Sequence, residues 1–379
     1  MRILMVCTIL PQKRADWWRI YNISEIMKNN GHDVHFIHYC RESNYLKLKN
    51  KEKYSNHTFI TFKSLIFSPI IIHLKHLRIL NKKDYDIIYC NGPCSVFYTL
   101  FDRWNKVRKI FDMHGDIVEE FLIKKSKINL SSFFKLNFLK IIDFVSTRFT
   151  DDIICVSNKE IDVLTKKRGI PLDKLHYVTN GVDLKFFRPS PCEKDSKKRE
   201  KLGINNKLVF GYIGSFQKWQ GVENFIKTAK KIDKENIAFL FIGDDINIKK
   251  ENIINIPWVS HDNIREYYSI CDVLVLPRPK HNAAEVAAPT KFSEYVAMGK
   301  PILATNVGDA AFFVKKYNCG IVIEDNTPEN FIIGIDQFLN LSKKELSKMG
   351  NNSRILAEKE FDWNKISLKL ANLLKFQGN

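Results

Sequence analysis

The sequence predicts an α/β protein made of two doubly wound, parallel-sheet domains. Three observations lead there. Short continuous runs of β-branched and aliphatic residues alternate with helix-like patterns along most of the chain, as strands covered on both faces require. The alternation runs twice, with turn residues and a charged stretch between the two runs. A length of 379 residues suits two domains at about 100–200 residues each.

Taken in order, the strands expected in the first half are Arg2–Cys7, Asp33–His38, Asp86–Cys90, Lys109–Met113 and Asp152–Val156. The break lies between Asn180 and Gly203. There Asn180-Gly181-Val182-Asp183 and Arg188-Pro189-Ser190-Pro191 supply turns, and a charged stretch continues to Lys201. The second set is Leu208–Ile213, Ala238–Ile242, Asp272–Leu276, Pro301–Thr305 and Gly320–Ile323. The first domain is therefore expected over residues 1–188 and the second from 189. In such sheets ligands gather beyond the carboxyl ends of the strands, so function is sought in the residues just after each strand.

Charge narrows the partners. Sixty Lys+Arg against 42 Asp+Glu give +18. Residues 1–190 hold 32 basic and 19 acidic residues (+13), and the remainder holds 28 and 23 (+5). A basic half-chain fits an anionic partner: nucleic acid, phospholipid headgroups or a phosphate-bearing substrate. A solvated lysine-rich surface explains part of the same excess. With 45% hydrophobic residues, wholesale disorder is excluded. The eight cysteines are scattered without a Cys-x-x-Cys pair, which argues against a zinc ribbon or redox motif and suits reduced thiols in a cytoplasmic protein. The longest apolar stretch, Ser64 to Leu74, falls short of the roughly 20 residues that cross a bilayer. The N-terminus enters a strand pattern almost at once, so neither a leader nor a spanning helix is expected.

The richest segment is Ala288-Pro289-Thr290-Lys291-Phe292-Ser293-Glu294-Tyr295-Val296-Ala297-Met298-Gly299-Lys300-Pro301. Pro289 suits the first turn of a helix and Gly299 its C-terminal cap. The free N–H groups of Thr290 and Lys291, the helix dipole and the Lys291 ammonium then make an anion site. Glu294 falls on the same face one turn on, where a carboxylate can accept hydrogen bonds from ribose hydroxyls. An ordinary capped helix with a solvated ion pair would have the same spacing.

This segment, continued through Ile302-Leu303-Ala304-Thr305-Asn306-Val307-Gly308, resembles the donor-binding signature of the retaining GT-B glycosyltransferases of family 4 (group 1). Other pieces fall in that family's order. Thr179-Asn180-Gly181-Val182-Asp183 resembles the interdomain loop. Phe210-Gly211-Tyr212-Ile213-Gly214-Ser215-Phe216, with Trp219-Gln220-Gly221, resembles the strand and glycine-rich loop that open the second domain. Phe241-Ile242-Gly243-Asp244 and Cys271-Asp272-Val273-Leu274-Val275-Leu276-Pro277 resemble later strands, and Phe361-Asp362-Trp363 resembles the start of the closing helix. The resemblance implies two Rossmann-like domains facing a central cleft. The first, 1–188, binds the acceptor and the second, 189–360, binds the nucleotide sugar. The helix of 361–379 crosses back to the first.

Residue roles follow from the same resemblance. Gly214, Ser215, Pro289, Thr290, Glu294 and Val259 fall at donor-binding positions, with Pro257-Trp258-Val259 near the base. His114, in Phe111-Asp112-Met113-His114-Gly115-Asp116, matches the histidine that contacts the transferred sugar. Three departures matter. The family often places a glutamate eight positions before Glu294, where this chain has Val286, so Glu285 is the nearest substitute for the sugar contact. It tends to carry Arg at Ser215 and Lys at Gln220, so Lys218 and Lys291 are expected to hold the diphosphate instead. The loop after the first strand lacks the usual glycine pair, and Lys13 and Arg14 are the expected acceptor or phosphate contacts there.

The implied reaction is hexosyl transfer, with retention, from a UDP-sugar or GDP-sugar to a glycan or lipid-linked acceptor of a surface polysaccharide or glycoconjugate. Asp151-Asp152 and Asp244-Asp245 are not Asp-x-Asp motifs, so neither a divalent metal nor a cofactor beyond the substrate is expected. Two basic, apolar segments, Ser68 to Leu80 and Phe121 to Phe149, fit attachment at the inner face of an anionic membrane. Nucleic acid is disfavoured because no recognised module is visible. A nicotinamide oxidoreductase is disfavoured because no Gly-x-Gly-x-x-Gly follows the first strand. A sugar-nucleotide epimerase or an inactive binding homologue would share the same frame.

Overall fold

The computed structural model describes residues 1–11, 15–48, 55–62, 85–100, 107–125, 128–189 and 192–375. Lys13, Arg14 and the Ser68 to Leu80 run lie outside them. The chain forms two compact units, Met1–Thr179 with Ser367–Asn379, and Asn180–Ile366. The division precedes the boundary expected at 188. Asn180 Nδ2 donates to Ala288 O at 2.7 Å, Val182 bridges to Asp362, and Phe187 is buried in the second unit's core, so residues 180–188 pack as part of the second unit.

The first unit holds a seven-stranded parallel sheet in the order β3-β2-β1-β4-β5-β6-β7. Its strands are β1 Arg2–Cys7, β2 Asp33–Arg41, β3 His57–Phe62, β4 Ile87–Asn91, β5 Arg108–Met113, β6 Asp152–Cys155 and β7 Leu175–Tyr177. The second unit holds a six-stranded parallel sheet in the order β10-β9-β8-β11-β12-β13. Its strands are β8 Leu208–Ile213, β9 Ile237–Gly243, β10 Ile253–Pro257, β11 Val273–Leu276, β12 Ile302–Thr305 and β13 Gly320–Ile323. All ten expected strands are present, with ends moved by a few residues. The three that sequence patterning missed, β3, β7 and β10, are edge strands. An edge strand pairs on one side only and keeps polar residues, so its apolar run is broken.

In each unit the central strands are buried on both faces. Ile3, Met5, Ile88, Phe111 and Ile154 in the first are inaccessible, as are Val209, Phe239, Leu240, Leu274 and Leu303 in the second. Full burial of such a side chain contributes about 1.5–3 kcal/mol, and these strands carry one at nearly every position. Strand order reverses between β1 and β4 in the first sheet and between β8 and β11 in the second. At such a reversal the crossover helices leave on opposite faces, which opens a crevice at the carboxyl ends. The closing helix Trp363–Lys375 belongs to the first unit from Ser367 onward. There Arg108 Nη1 donates to Leu373 O at 3.1 Å.

Candidate functional site

In the second unit the site grows from the ends of β8 and β11. Strand β8 delivers Gly214 at φ +141°, a conformation that L side chains rarely adopt. A Cβ at Gly214 would lie 2.6 Å from Lys291 Nζ, so the bare backbone gives that ammonium its place. Lys291 stands in the first turn of the helix Thr290–Ala297, with Pro289 at the N-cap, one residue ahead of its expected position. Its Nζ donates to Tyr212 Oη at 2.9 Å, and that hydroxyl donates to Ser215 O at 2.7 Å. Burial first, and then the like charge of Arg278, push the Lys291 pKa down to about 7, against an opposing pull from Glu294.

Glu294 is held from two sides. Tyr268 O–H donates to its Oε2 at 2.6 Å, and His261 Nε2 lies 3.4 Å from Oε1. Its carboxylate keeps further acceptor capacity, since each oxygen has two lone pairs. Glu285 accepts the Gly308 N–H at 2.8 Å, at the start of the helix Gly308–Tyr317. Val259 packs against the core, while Trp258 is exposed and donates from Nε1 to Asp244 at 3.0 Å. Lys218 sits on the short turn Lys218–Gln220 and is exposed. The like charge of Arg278 is the one that lowers the Lys291 pKa after burial.

Arg278 was not anticipated. It follows β11 as Pro277-Arg278-Pro279 and is 6% exposed. The available signal was its position: a cation just beyond the carboxyl end of a central strand.

In the first unit His114 follows β5. Its Nε2 lies 2.7 Å from Asn91 Nδ2 and 3.5 Å from Asp112 Oδ2. Asp112 is fully buried and bound in a fork by Arg19, Nη2 to Oδ1 at 2.8 Å and Nε to Oδ2 at 3.1 Å. Arg19 also donates to the carbonyls of Thr179 and Val178, both at 2.9 Å. Burial works against the ionised Asp112 carboxyl, but the charges of Arg19 and His114 and the hydrogen bonds from Arg19 and Tyr89 together outweigh it and hold the pKa below the usual carboxylate range. Asn91, Asp112 and Arg19 come from β4, β5 and the helix Ala15–Asn29, which is why local patterning did not group them.

The same unit carries the helix Leu130–Arg148, whose inner face buries Leu136, Leu139 and Ile142. Its outer face leaves Leu130, Phe133, Phe134, Phe138, Ile141 and Phe144 exposed beside exposed Lys135, Lys140 and Arg148. Among the described residues no helix is long and apolar enough to cross a membrane. Nor do the described residues place three or more His, Cys, Asp or Glu side chains to hold a metal ion.

Comparison with known proteins agrees with this architecture. Residues 194–355 match the family described as Glycosyl transferases group 1, and residues 18–186 match Glycosyltransferase Family 4. A Bacillus subtilis (strain 168) protein assigned to teichuronic acid biosynthesis as the glycosyltransferase TuaH is 26% identical over 262 residues, 66% of this chain. The chain spans 62% of the length of that relative, and 62% of a Klebsiella pneumoniae protein from a cps region. Among solved structures, sucrose-phosphate synthase from Thermosynechococcus elongatus superposes with TM-score 0.77 at 15% identity, over 99% of this chain and 98% of that one. Anabaena HepE in complex with UDP gives 0.76 at 16% identity, over 99% of both chains. At such identities the two structures speak for the fold.

Proposed function

We propose a sugar transfer for this chain, which belongs to the GT-B glycosyltransferases of group 1, family 4. The donor is a UDP-sugar or GDP-sugar and the acceptor a glycan or lipid-linked molecule in polysaccharide or glycoconjugate biosynthesis. Transfer retains the anomeric configuration and uses neither a divalent metal nor a cofactor beyond the donor. The observation that carries the reading is the Lys291 ammonium poised over Gly214 at the start of a helix, at the β8/β11 reversal. The UDP complex of HepE and the teichuronic acid assignment of the Bacillus relative support it.

The difficult step is departure of the nucleoside diphosphate as positive charge grows on the sugar. The Lys291 ammonium and the free N–H groups of Thr290 and Lys291 are oriented before reaction, so they stabilise that leaving charge without reorganising. Each such donor is worth about 2.7–4 kcal/mol at comparable sites. Glu294, steadied by Tyr268, is suited to accept the ribose hydroxyls. His114 has the role of contacting the transferred sugar, and Glu285 contributes to the donor site beside the helix it caps. The leaving phosphate takes the acceptor proton.

The exposed face of Leu130–Arg148 supports docking on an anionic membrane at its cytoplasmic side: aromatic and aliphatic side chains for the acyl boundary, and basic ones for the headgroups. The test is a thermal-shift screen with UDP, GDP and their sugar conjugates, and then transfer to lipid-linked acceptors. If Lys291→Ala and His114→Ala both keep transfer within about threefold of the parent, these roles are wrong.

A further inference from the structure

We infer that Asn91 is a positioning residue for His114: its side-chain amide donates to Nε2 and so fixes the ring as the neutral tautomer with its proton on Nδ1. The inference rests on the sugar-transfer reading, in which His114 meets the transferred sugar, and adds how the protein prepares that ring.

Strand register brings the groups together. Strands β4 and β5 pair in parallel with Asn91 directly opposite Asp112. Just beyond, Gly92 N donates to Asp112 O at 3.1 Å and ties the two strand ends. His114 stands two residues after Asp112. Its Nε2 lies 2.7 Å from Asn91 Nδ2 and 3.5 Å from Asp112 Oδ2.

The two contacts make opposite demands on Nε2. A carboxylate oxygen only accepts, so it favours a proton on that nitrogen. An amide nitrogen only donates, so it needs the lone pair there. Distance decides between them, because the Asn91 contact has hydrogen-bond length and the Asp112 contact exceeds it. Prior commitment points the same way. Both Asp112 oxygens accept from Arg19, Nη2 to Oδ1 at 2.8 Å and Nε to Oδ2 at 3.1 Å, so the carboxylate already has its counter-charge.

Asn91 is also held in place. It is buried at the end of β4, and Ser95 Oγ donates to its backbone carbonyl at 2.7 Å. Gly92, at φ +83°, turns the chain directly after it into the helix Pro93–Tyr98. An imidazole whose one nitrogen accepts a hydrogen bond carries its proton on the other. Any hydrogen bond that the neutral His114 ring donates therefore leaves from Nδ1. A proton on Nε2 would set two N–H groups against each other.

The experiment is long-range proton–nitrogen NMR of the full chain, isotope-labelled at histidine, with His114→Gln to identify the His114 signals. In the parent protein Nε2 is expected to give a pyridine-like shift and Nδ1 a pyrrole-like one. In Asn91→Leu the proton is expected to move to Nε2, beside Asp112. The kcat for transfer should then fall about tenfold or more, with KM for the nucleotide sugar within about threefold of the parent. Asn91→Asp, which puts an acceptor of the same shape in place of the donor, is expected to move the proton in the same direction. If a variant at position 91 does not fold, the parent spectrum carries the test. A parent ring protonated on Nε2, or an unchanged tautomer or an unchanged kcat in folded Asn91→Leu, overturns this inference and leaves the sugar-transfer reading standing. A parent protein that binds neither UDP nor GDP overturns both.

Discussion

Each unit holds a cation near the carboxyl ends of its sheet, Arg19 in the first and Lys291 in the second, and the two have different surroundings. In the first, Arg19 is matched within the protein: a forked carboxylate and two carbonyls take its donors. In the second, Lys291 donates to a neutral phenol, and burial, then the like charge of Arg278, bring its pKa down to about 7. A buried charge that meets its counter-charge inside the fold holds structure.

The largest effect expected to sharpen this contrast is on stability. Arg19→Met leaves Asp112 buried without its partner, so unfolding free energy should fall by about 3–5 kcal/mol. Lys291→Met, measured in the same denaturant titration, should not lower it. Equal losses in both variants would break the comparison.

Next in size is activity. Lys291→Met should reduce kcat/KM for transfer by about 10²–10³, as loss of one pre-oriented donor to a leaving anion does elsewhere. A reduction confined to KM would instead place Lys291 in ground-state binding alone.

Acidity gives a smaller and more specific signature. The Lys291 pKa is depressed in the folded protein by burial and Arg278, against Glu294, while in the unfolded chain it returns to 10.5. Between pH 7 and 10.5 the unfolded state binds the extra proton, so stability should rise with pH across that window, and this rise should vanish in Lys291→Met. Donor binding runs the other way. The anion needs the ammonium, so Kd for a UDP- or GDP-sugar should increase above pH 7, by up to about tenfold per unit. A pH-independent Kd in the parent protein would remove Lys291 from the diphosphate.

The smallest effect on the fold is expected on the outer face of Leu130–Arg148. Phe134→Ser with Phe138→Ser should shift stability by no more than about 0.5 kcal/mol per site. The same pair should release the protein from anionic vesicles in flotation, and added salt should weaken parent binding through Lys135 and Lys140. Unchanged flotation would assign the helix face to another partner.

The fold was legible to the extent that burial imposes a pattern. Central strands such as Leu208–Ile213 lie between two helical layers, so their apolar runs are uninterrupted and announce themselves. Edge strand His57–Phe62 has its apolar run broken by His57, Thr58 and Thr61 and is silent by that criterion. Lys291 was legible because its environment is local: Pro289 before it and the helix start around it. Arg278 was not, since it lies on an irregular loop held across the sheet by Thr305 Oγ1 at the end of β12. Lys218, chosen for its nearness in sequence to Gly221, is exposed on its turn.

The sequence by itself determined the doubly wound pair of sheets, the helix start at Thr290 and Lys291, and the basic bias of the first half. Those properties depend on residue type and short-range spacing. The tertiary structure alone decided that Lys291 stands over Gly214 and that Asn91 and Asp112 flank His114. Neighbouring strands of a parallel sheet are joined through a crossover of a dozen or more residues. Their register is set by packing across the whole sheet, and local periodicity carries no record of which two strand ends will meet.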